Sequence, residues 1–431
     1  MATRGPLPWE RLSWGPMAQD WQSRINMEHL RQDRFKRTQE QMKKRGIAAA
    51  ILVGENQRYS TAIKIPTIQA LSPDIGGFAL VFADYPLEDV IIYITGQVAI
   101  QLQHHVGWIK PENMRWCYKS IPSMGRKAIL DAQQNQAKMV KQDLLEKKLL
   151  GEKVAVGPIS IGFRTAFEQE GVKLVDMGDM MVQARKIKTV EEISCLKMVG
   201  AISNALFWRV YENLRPGISE CELSAEVARE WVRWQNLDVF NVSLSSGPNT
   251  SPNYIACRPS DRIIEPGDLV YLDLVGPVFS GYRSCCYRVF KCGTKPTQKE
   301  KDWYKKAYDW LYAGLEYLKP GYTTADVAKQ WPKCEIWGNV SEHEASPNCV
   351  GHGVGLGQHE YPFIGRICSL DDPLPIEKGM VVALETWHGE YGVGGCRVEN
   401  VYLVTDDGYE VTQGSWPDEE IVVPKHSLLI D

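Results

Sequence analysis

Leu269-Val-Tyr-Leu-Asp-Leu-Val275 decides how this chain is read. An apolar run of this length is a buried strand, yet Asp273 stands inside it. An ionised carboxylate is costly to bury unless it is paired or coordinated. Three further segments repeat the pattern. His352 lies in Gly351-His-Gly-Val-Gly355, Glu385 in Met380-Val-Val-Ala-Leu-Glu-Thr386 and Glu399 in Cys396-Arg-Val-Glu-Asn-Val401. A lone strand carboxylate is most often an outward-facing or salt-bridged residue. Four metal-type ligands on four strand-like segments point instead to one shared site.

Outward from these segments the chain divides in two. Residues 1–30 read as an N-terminal arm with turn-forming Pro and Gly. A polar, helix-prone stretch from Arg31 to Arg45 follows. Ile47–Val53, Gly77–Phe82, Val90–Ile94, Lys153–Val156 and Val172–Val175 are short apolar runs that read as strands, and Lys127–Leu150 is an amphipathic helix. Strands alternating with helices predict an α/β domain with a parallel or mixed sheet over 31–180. The boundary falls near Asp179. Beyond it, over 181–431, Thr189 and Glu192 form a capping box. Helices are expected at about 190–214, 220–235 and 298–318. Strands are expected at Val239–Ser245, Leu269–Leu274 and Arg288–Lys291, with Gly-rich strand-and-loop sequence in the last hundred residues.

Composition narrows the function. The chain has 431 residues, 44% hydrophobic and 24% charged, with a formal net charge of −4. That is ordinary for a globular protein and gives no basic surface for phosphate neutralisation, so nucleic acid is not an expected partner. No run approaches the ~20 apolar residues of a membrane span, and Met1–Trp21 lacks the apolar core of a signal peptide. The 11 Cys are odd in number and show no CxxC pair, which favours reduced thiols and a cytoplasmic location.

The segments resemble a known family: the pita-bread superfamily of methionine aminopeptidase, Xaa-Pro aminopeptidase, prolidase and creatinase. The resemblance is carried by Gly267–Asp273, Gly281-Tyr-Arg-Ser-Cys-Cys-Tyr-Arg-Val-Phe290, Gly351–Pro362, Ala383-Leu-Glu385 and Arg397–Val404. It implies an α+β chain, with a creatinase-like α/β N-terminal domain before a pita-bread catalytic domain. Within the superfamily, Leu244–Pro252, Asp273–Pro277, His359–Pro362 and Ala383–Thr386 look most like the peptidase-like dimethylsulfoniopropionate lyases. Those enzymes cleave a carbon–sulfur bond by removing a proton next to a carboxylate.

The departures matter as much. Where the family carries a second Asp that bridges two metals, this chain has Cys285. Where the lyases add an Asp it has Tyr271, and where the peptidases place a substrate-contacting His it has Asn253. The ligand set implied is Asp273, Cys285, His352, Glu385 and Glu399. One thiolate is a poor substitute for a bridging carboxylate, so a single Zn or Fe ion is the expectation, with two ions or a metal-free site as alternatives. His359 is the expected acid or base, working with His352 and Asp273. Tyr361, Trp387, Arg397, Tyr271 and Asn253 are the expected substrate contacts. His388 and Arg258 are weaker candidates. Cys286 points away from Cys285 in a strand and is expected to be core.

The expected activity is a lyase or hydrolase of a small sulfonium, betaine or amino-acid-like compound, with carbon–sulfur cleavage favoured. The alternatives are an Xaa-Pro-type metallopeptidase and a creatinase-like metal-free C–N hydrolase. A binding module without turnover fits less well, because His352, Glu385 and Glu399 are all retained. The resemblance also implies a homodimer.

Overall fold

A computed structural model describes residues 25–63, 77–94, 100, 102–103, 106–118, 122–234, 242–252, 258–344, 350–412 and 418–428. The chain forms two compact units, Met1–Arg185 and Lys186–Asp431. Most of the expected N-terminal arm lies outside the described residues. The helix expected from Arg31 already begins at Met27, because the Asn26 side chain accepts from the His29 N–H and caps it there.

In the first unit the order is α1 (Met27–Lys44), β1 (Ala49–Leu52), α2 (Gly54–Thr61), β2 (Phe78–Phe82), β3 (Ile91–Ile94), β4 (Met114–Trp116), α3 (Arg126–Glu146), β5 (Lys153–Val156), α4 (Ile161–Gln169), β6 (Lys173–Asp176) and α5 (Met180–Arg185). The sheet order is β4-β3-β2-β1-β5-β6. It is mixed: β1 pairs antiparallel with β2 and parallel with β5. All four residues of β1 are buried, as a continuous apolar run in a sheet centre requires.

The second unit begins with α6 (Val190–Asn213) and α7 (Glu220–Arg233). Each starts at a capping box, Thr189 with Glu192 and Ser219 with Glu222. Strands β7 (Val242–Ser246), β8 (Leu269–Leu274) and β11 (Tyr287–Lys291) form an antiparallel sheet in the order β11-β8-β7. A small hairpin of β9 (Val278–Phe279) and β10 (Tyr282–Arg283) lies between β8 and β11 in the chain. After α8 (Gln298–Leu315) and α9 (Thr324–Ala328) come β12 (Gly351–Gly353), β13 (Glu360–Ile364), α10 (Arg366–Asp371), β14 (Val381–Glu390), β15 (Gly394–Val404) and β16 (Tyr409–Val411). These strands pair antiparallel in the order β13-β12-β14-β15-β16. No helix among the described residues is long and apolar enough to cross a membrane.

Strand alternation positions the site. Val270, Leu272 and Leu274 of β8 join a core with Leu206 and Val210 of α6 and Leu223 and Val227 of α7. Tyr271 and Asp273 therefore face the other way. Val382 and Leu384 of β14 and Val398 and Tyr402 of β15 join a second core with Tyr304, Leu311 and Leu315 of α8. Glu385 and Glu399, directly opposite each other across the β14–β15 ladder, again take the opposite face. On these strands the apolar positions named pack on helices, and Asp273, Glu385 and Glu399 take the alternate positions.

The glycines around His352 are steric requirements. A methyl group at Gly351 would lie 2.4 Å from Leu384 Cδ2, and one at Gly353 would lie 2.2 Å from the Tyr361 carbonyl oxygen. The second contact is with main chain and cannot be relieved by a rotamer change. Gly353→Ala should therefore destabilise the fold by at least the ~1–3 kcal/mol of an overpacked core. Gly408→Ala, which meets open space, should stay within about 0.5 kcal/mol. Urea denaturation of both variants checks this, and equal midpoints would refute the steric reading.

Candidate functional site

The five residues picked from separated segments converge. Cys285, His352 and Glu399 are buried and offer ligand atoms that all lie within 4.8 Å of one another. The Cys285 thiol is 3.9 Å from Asp273 Oδ1. His352 Nε2 is 3.7 Å from Glu399 Oε1. Glu385 faces Asp273 and Glu399 closely enough for its charge to act on both.

The local structure orients each group. His352 Nδ1 lies 3.0 Å from the Gly353 carbonyl oxygen. A carbonyl only accepts, so Nδ1 carries the proton and the Nε2 lone pair faces Glu399. Tyr271 donates to Asp273 Oδ2 at 3.0 Å. Tyr287 donates to Glu385 Oε2. Gln358 Nε2 donates to the Cys285 sulfur at 3.6 Å. Arg288, also buried, donates to the main-chain oxygen of Glu399 and to Asn400 Oδ1, tying β11 to β15. His359 stands edge-on to His352, with ring centroids 4.2 Å apart. Its loop is fixed on both sides: Arg283 N–H donates to the Gly355 carbonyl, and the nearly inaccessible Glu360 carboxylate accepts from Gly357 N–H and from Lys188.

Three atoms stand out. His352 Nε2 and both carboxylate oxygens of Glu399 are buried without a hydrogen-bond partner among the described residues. Orphaned polar atoms of this kind are rare in native interiors and call for an ion or water. Two ligands held tetrahedrally at ~2.0–2.2 Å from one ion would be about 3.5 Å apart, close to the 3.7 Å between His352 and Glu399. Cys285, His352 and Glu399 therefore fit a single divalent ion, with Asp273 and Glu385 beside it.

Burial sets the proton affinities. Desolvation, then the charge of Glu385, pushes Asp273 up to about 7. Desolvation, with Glu385 and Asp273 behind it, raises Glu399 well above the carboxylate range. Burial drives the Cys285 thiol up. His352 is pushed down to about 3 by desolvation and by His359, and His359 is lowered by burial.

Other expectations fare differently. Arg397 lies over the Tyr271 ring, 4.9 Å from its centroid. Trp387 packs against Trp337 in the α8 core. Tyr361 is half-buried, with Lys186 above its ring. His388 turns to the other face and meets Trp310 of α8, because it is one residue out of phase with Trp387 and Glu385. Arg258 is exposed, and Asn253 lies outside the described residues. Cys286 is core, as expected. Tyr287 and Gln358 were not singled out from the sequence. Tyr287 was findable, since it sits two residues after Cys285 and shares its face. Gln358 had no signal beyond adjacency to His359.

The model of metallopeptidase family M24 matches residues 194–406. The uncharacterized peptidase YqhT of Bacillus subtilis is 30% identical over 257 residues, 58% of this chain and 68% of that protein. The probable dipeptidase PepE of Mycobacterium tuberculosis is 30% identical over 256 residues, 59% of this chain. The chain spans 65% of the length of that relative. The solved structure of an Xaa-Pro dipeptidase from Bacillus anthracis superposes with a TM-score of 0.67 at 21% identity, covering 91% of this chain and 99% of that one. The architecture is accordingly an N-terminal α/β domain followed by a pita-bread domain.

The raised Asp273 and Glu399 stabilise the metal-free fold at low pH, and this contribution is lost as pH rises through their folded pKa values. The lowered His352 contributes stability that is lost as pH falls from 6.5 toward 3, so it is silent above 6.5. Chelator-stripped protein should therefore lose Tm as pH rises above 6.5, where His352 is silent and the raised carboxylates still release protons, relative to protein reloaded with a divalent ion. Parallel curves in calorimetry would contradict the clustering of these carboxylates.

Proposed function

The chain belongs to metallopeptidase family M24, and from that membership we propose that it is a hydrolase opening the C–N bond of a dipeptide or similar small amide. The observation that carries the reading is the set of orphaned ligand atoms on His352 and Glu399, closed by Cys285 and flanked by His359. It supports a metal-dependent site over the metal-free alternative. The dipeptidase name of a 30% identical relative supports amide hydrolysis over carbon–sulfur elimination. The lyase expectation rested on short stretches such as Asp273–Pro277 and gains nothing from these relatives.

Cys285, His352 and Glu399 would hold the ion. When bound it would supply Lewis acidity to a carbonyl oxygen and to water. The remaining work falls to the chain. Water adds across the scissile bond, its oxygen to the carbonyl carbon and a proton to the departing nitrogen. His359, which partial burial pushes toward its neutral form, would take a proton at a ring nitrogen and pass it to the amine. Arg397 offers a buried positive charge for a substrate carboxylate.

The test is a panel of Xaa-Pro and other dipeptides, run beside dimethylsulfoniopropionate, with protein reconstituted with Zn²⁺, Fe²⁺ or Co²⁺. Free amino acids are the expected product. Dimethyl sulfide release without dipeptide cleavage would overturn the proposal. His359→Ala should lower kcat by roughly 10²–10⁴-fold with metal content unchanged.

A further inference from the structure

Resting on that reading, we propose that the centre is built for one thiolate-ligated ion, with the hydroxyls of Tyr271 and Tyr287 standing where a second cation would neutralise Asp273 and Glu385. A two-ion site needs carboxylates free to bridge ions ~3.5–4 Å apart. Here Asp273 Oδ2 accepts from Tyr271 at 3.0 Å, and its Oδ1 faces the Cys285 thiol. Glu385 Oε2 accepts from Tyr287. Both phenols are buried, at 1% and 2% exposure, and their rings pack edge to face with centroids 5.6 Å apart. Neither can swing out to water. A second ion would compete with both hydroxyls for the same two carboxylates, and Cys285 offers no carboxylate to bridge it.

The register of the sheet makes this arrangement inevitable once these residues are chosen. Tyr287 is the direct antiparallel partner of Asp273. Tyr271 is two residues before Asp273 on β8 and therefore on the same face. The two tyrosines thus occupy the side of the cluster that holds Asp273 and Glu385, and Cys285 lies between that side and the ion. The half that holds His352 and Glu399 keeps its orphaned atoms. Sulfur in the remaining ligand set selects Zn²⁺, Fe²⁺ or Co²⁺ over Mg²⁺ and Mn²⁺.

Metal binding tests this without reference to turnover. Stripped protein is titrated with Co²⁺, and bound metal is counted by elemental analysis. The expected result is saturation at one equivalent, with a near-ultraviolet sulfur-to-cobalt charge-transfer band that Cys285→Ser abolishes. A tenfold excess of Mn²⁺ should leave the band in place. Cys285→Asp combined with Tyr271→Phe and Tyr287→Phe should raise the capacity to two equivalents, and capacity held at one in a folded variant would remove the tyrosines from the argument. Two equivalents in the native chain, one equivalent without the sulfur band, or no binding would each overturn the proposal. If the triple variant does not fold, the native count still decides. A chain that takes two ions and cleaves dipeptides sinks this inference alone. A chain that takes one thiolate-bound ion and cleaves nothing sinks the hydrolase reading alone.

Discussion

Five ionisable side chains crowd one space, four of them buried and Glu385 partly so, and the rest of the second unit is arranged around that cost. Glu399 and His352 are fully buried, and Asp273 and Cys285 nearly so. Isolated charges in such surroundings are strongly disfavoured. Compensation is distributed over neighbouring strands. Tyr271 and Tyr287 serve the carboxylates of Asp273 and Glu385, Gln358 serves the thiol, and Arg288 fixes the main chain of Glu399. What stays uncompensated is concentrated at His352 Nε2 and the Glu399 oxygens, and there a divalent cation has the right charge and the right donors.

Rigidity comes from the same economy of space. Gly351 and Gly353 let β12 approach β13 and β14 closely, which sets the depth of His352. The loop beyond it carries Gln358 and His359 and would be mobile if left to itself. The buried Lys188–Glu360 pair holds it at its end, and Arg283 holds it at its start. Breaking one partner of a buried ion pair is strongly destabilising. A change at Lys188, far from the reacting atoms in sequence, therefore reaches His359 through Glu360.

Much of this was legible in the sequence. The apolar runs of β1, β2, β3 and β5 and the capping box at Thr189 announce themselves locally. The convergence of Asp273, His352, Glu385 and Glu399 follows from the expense of charge in apolar strands, and the family resemblance added Cys285. Tyr287 was missed because a tyrosine in a strand is most often core, and only its phase with Cys285 and its register with Asp273 reveal a polar task. His388, the weaker candidate, faces Trp310 because neighbours along a strand point in opposite directions. Trp387 has the right phase but spends its ring on Trp337, a long-range packing choice that no local pattern encodes.

The directions in which burial moves the titrating groups bear on how an amide would be opened. Loss of the amine is the hard part of amide hydrolysis, because the nitrogen must be protonated before it departs. Burial lowers His359, so its conjugate acid is stronger than a solvated imidazolium and suited to giving that proton away. The same burial raises Asp273 and Glu399, making them better proton acceptors than ordinary carboxylates until a cation offsets the effect. One physical cause thus moves the imidazole and the carboxylates in opposite directions. His359 packs edge-on to His352 and keeps an exposed side, whereas Asp273 and Glu399 are buried.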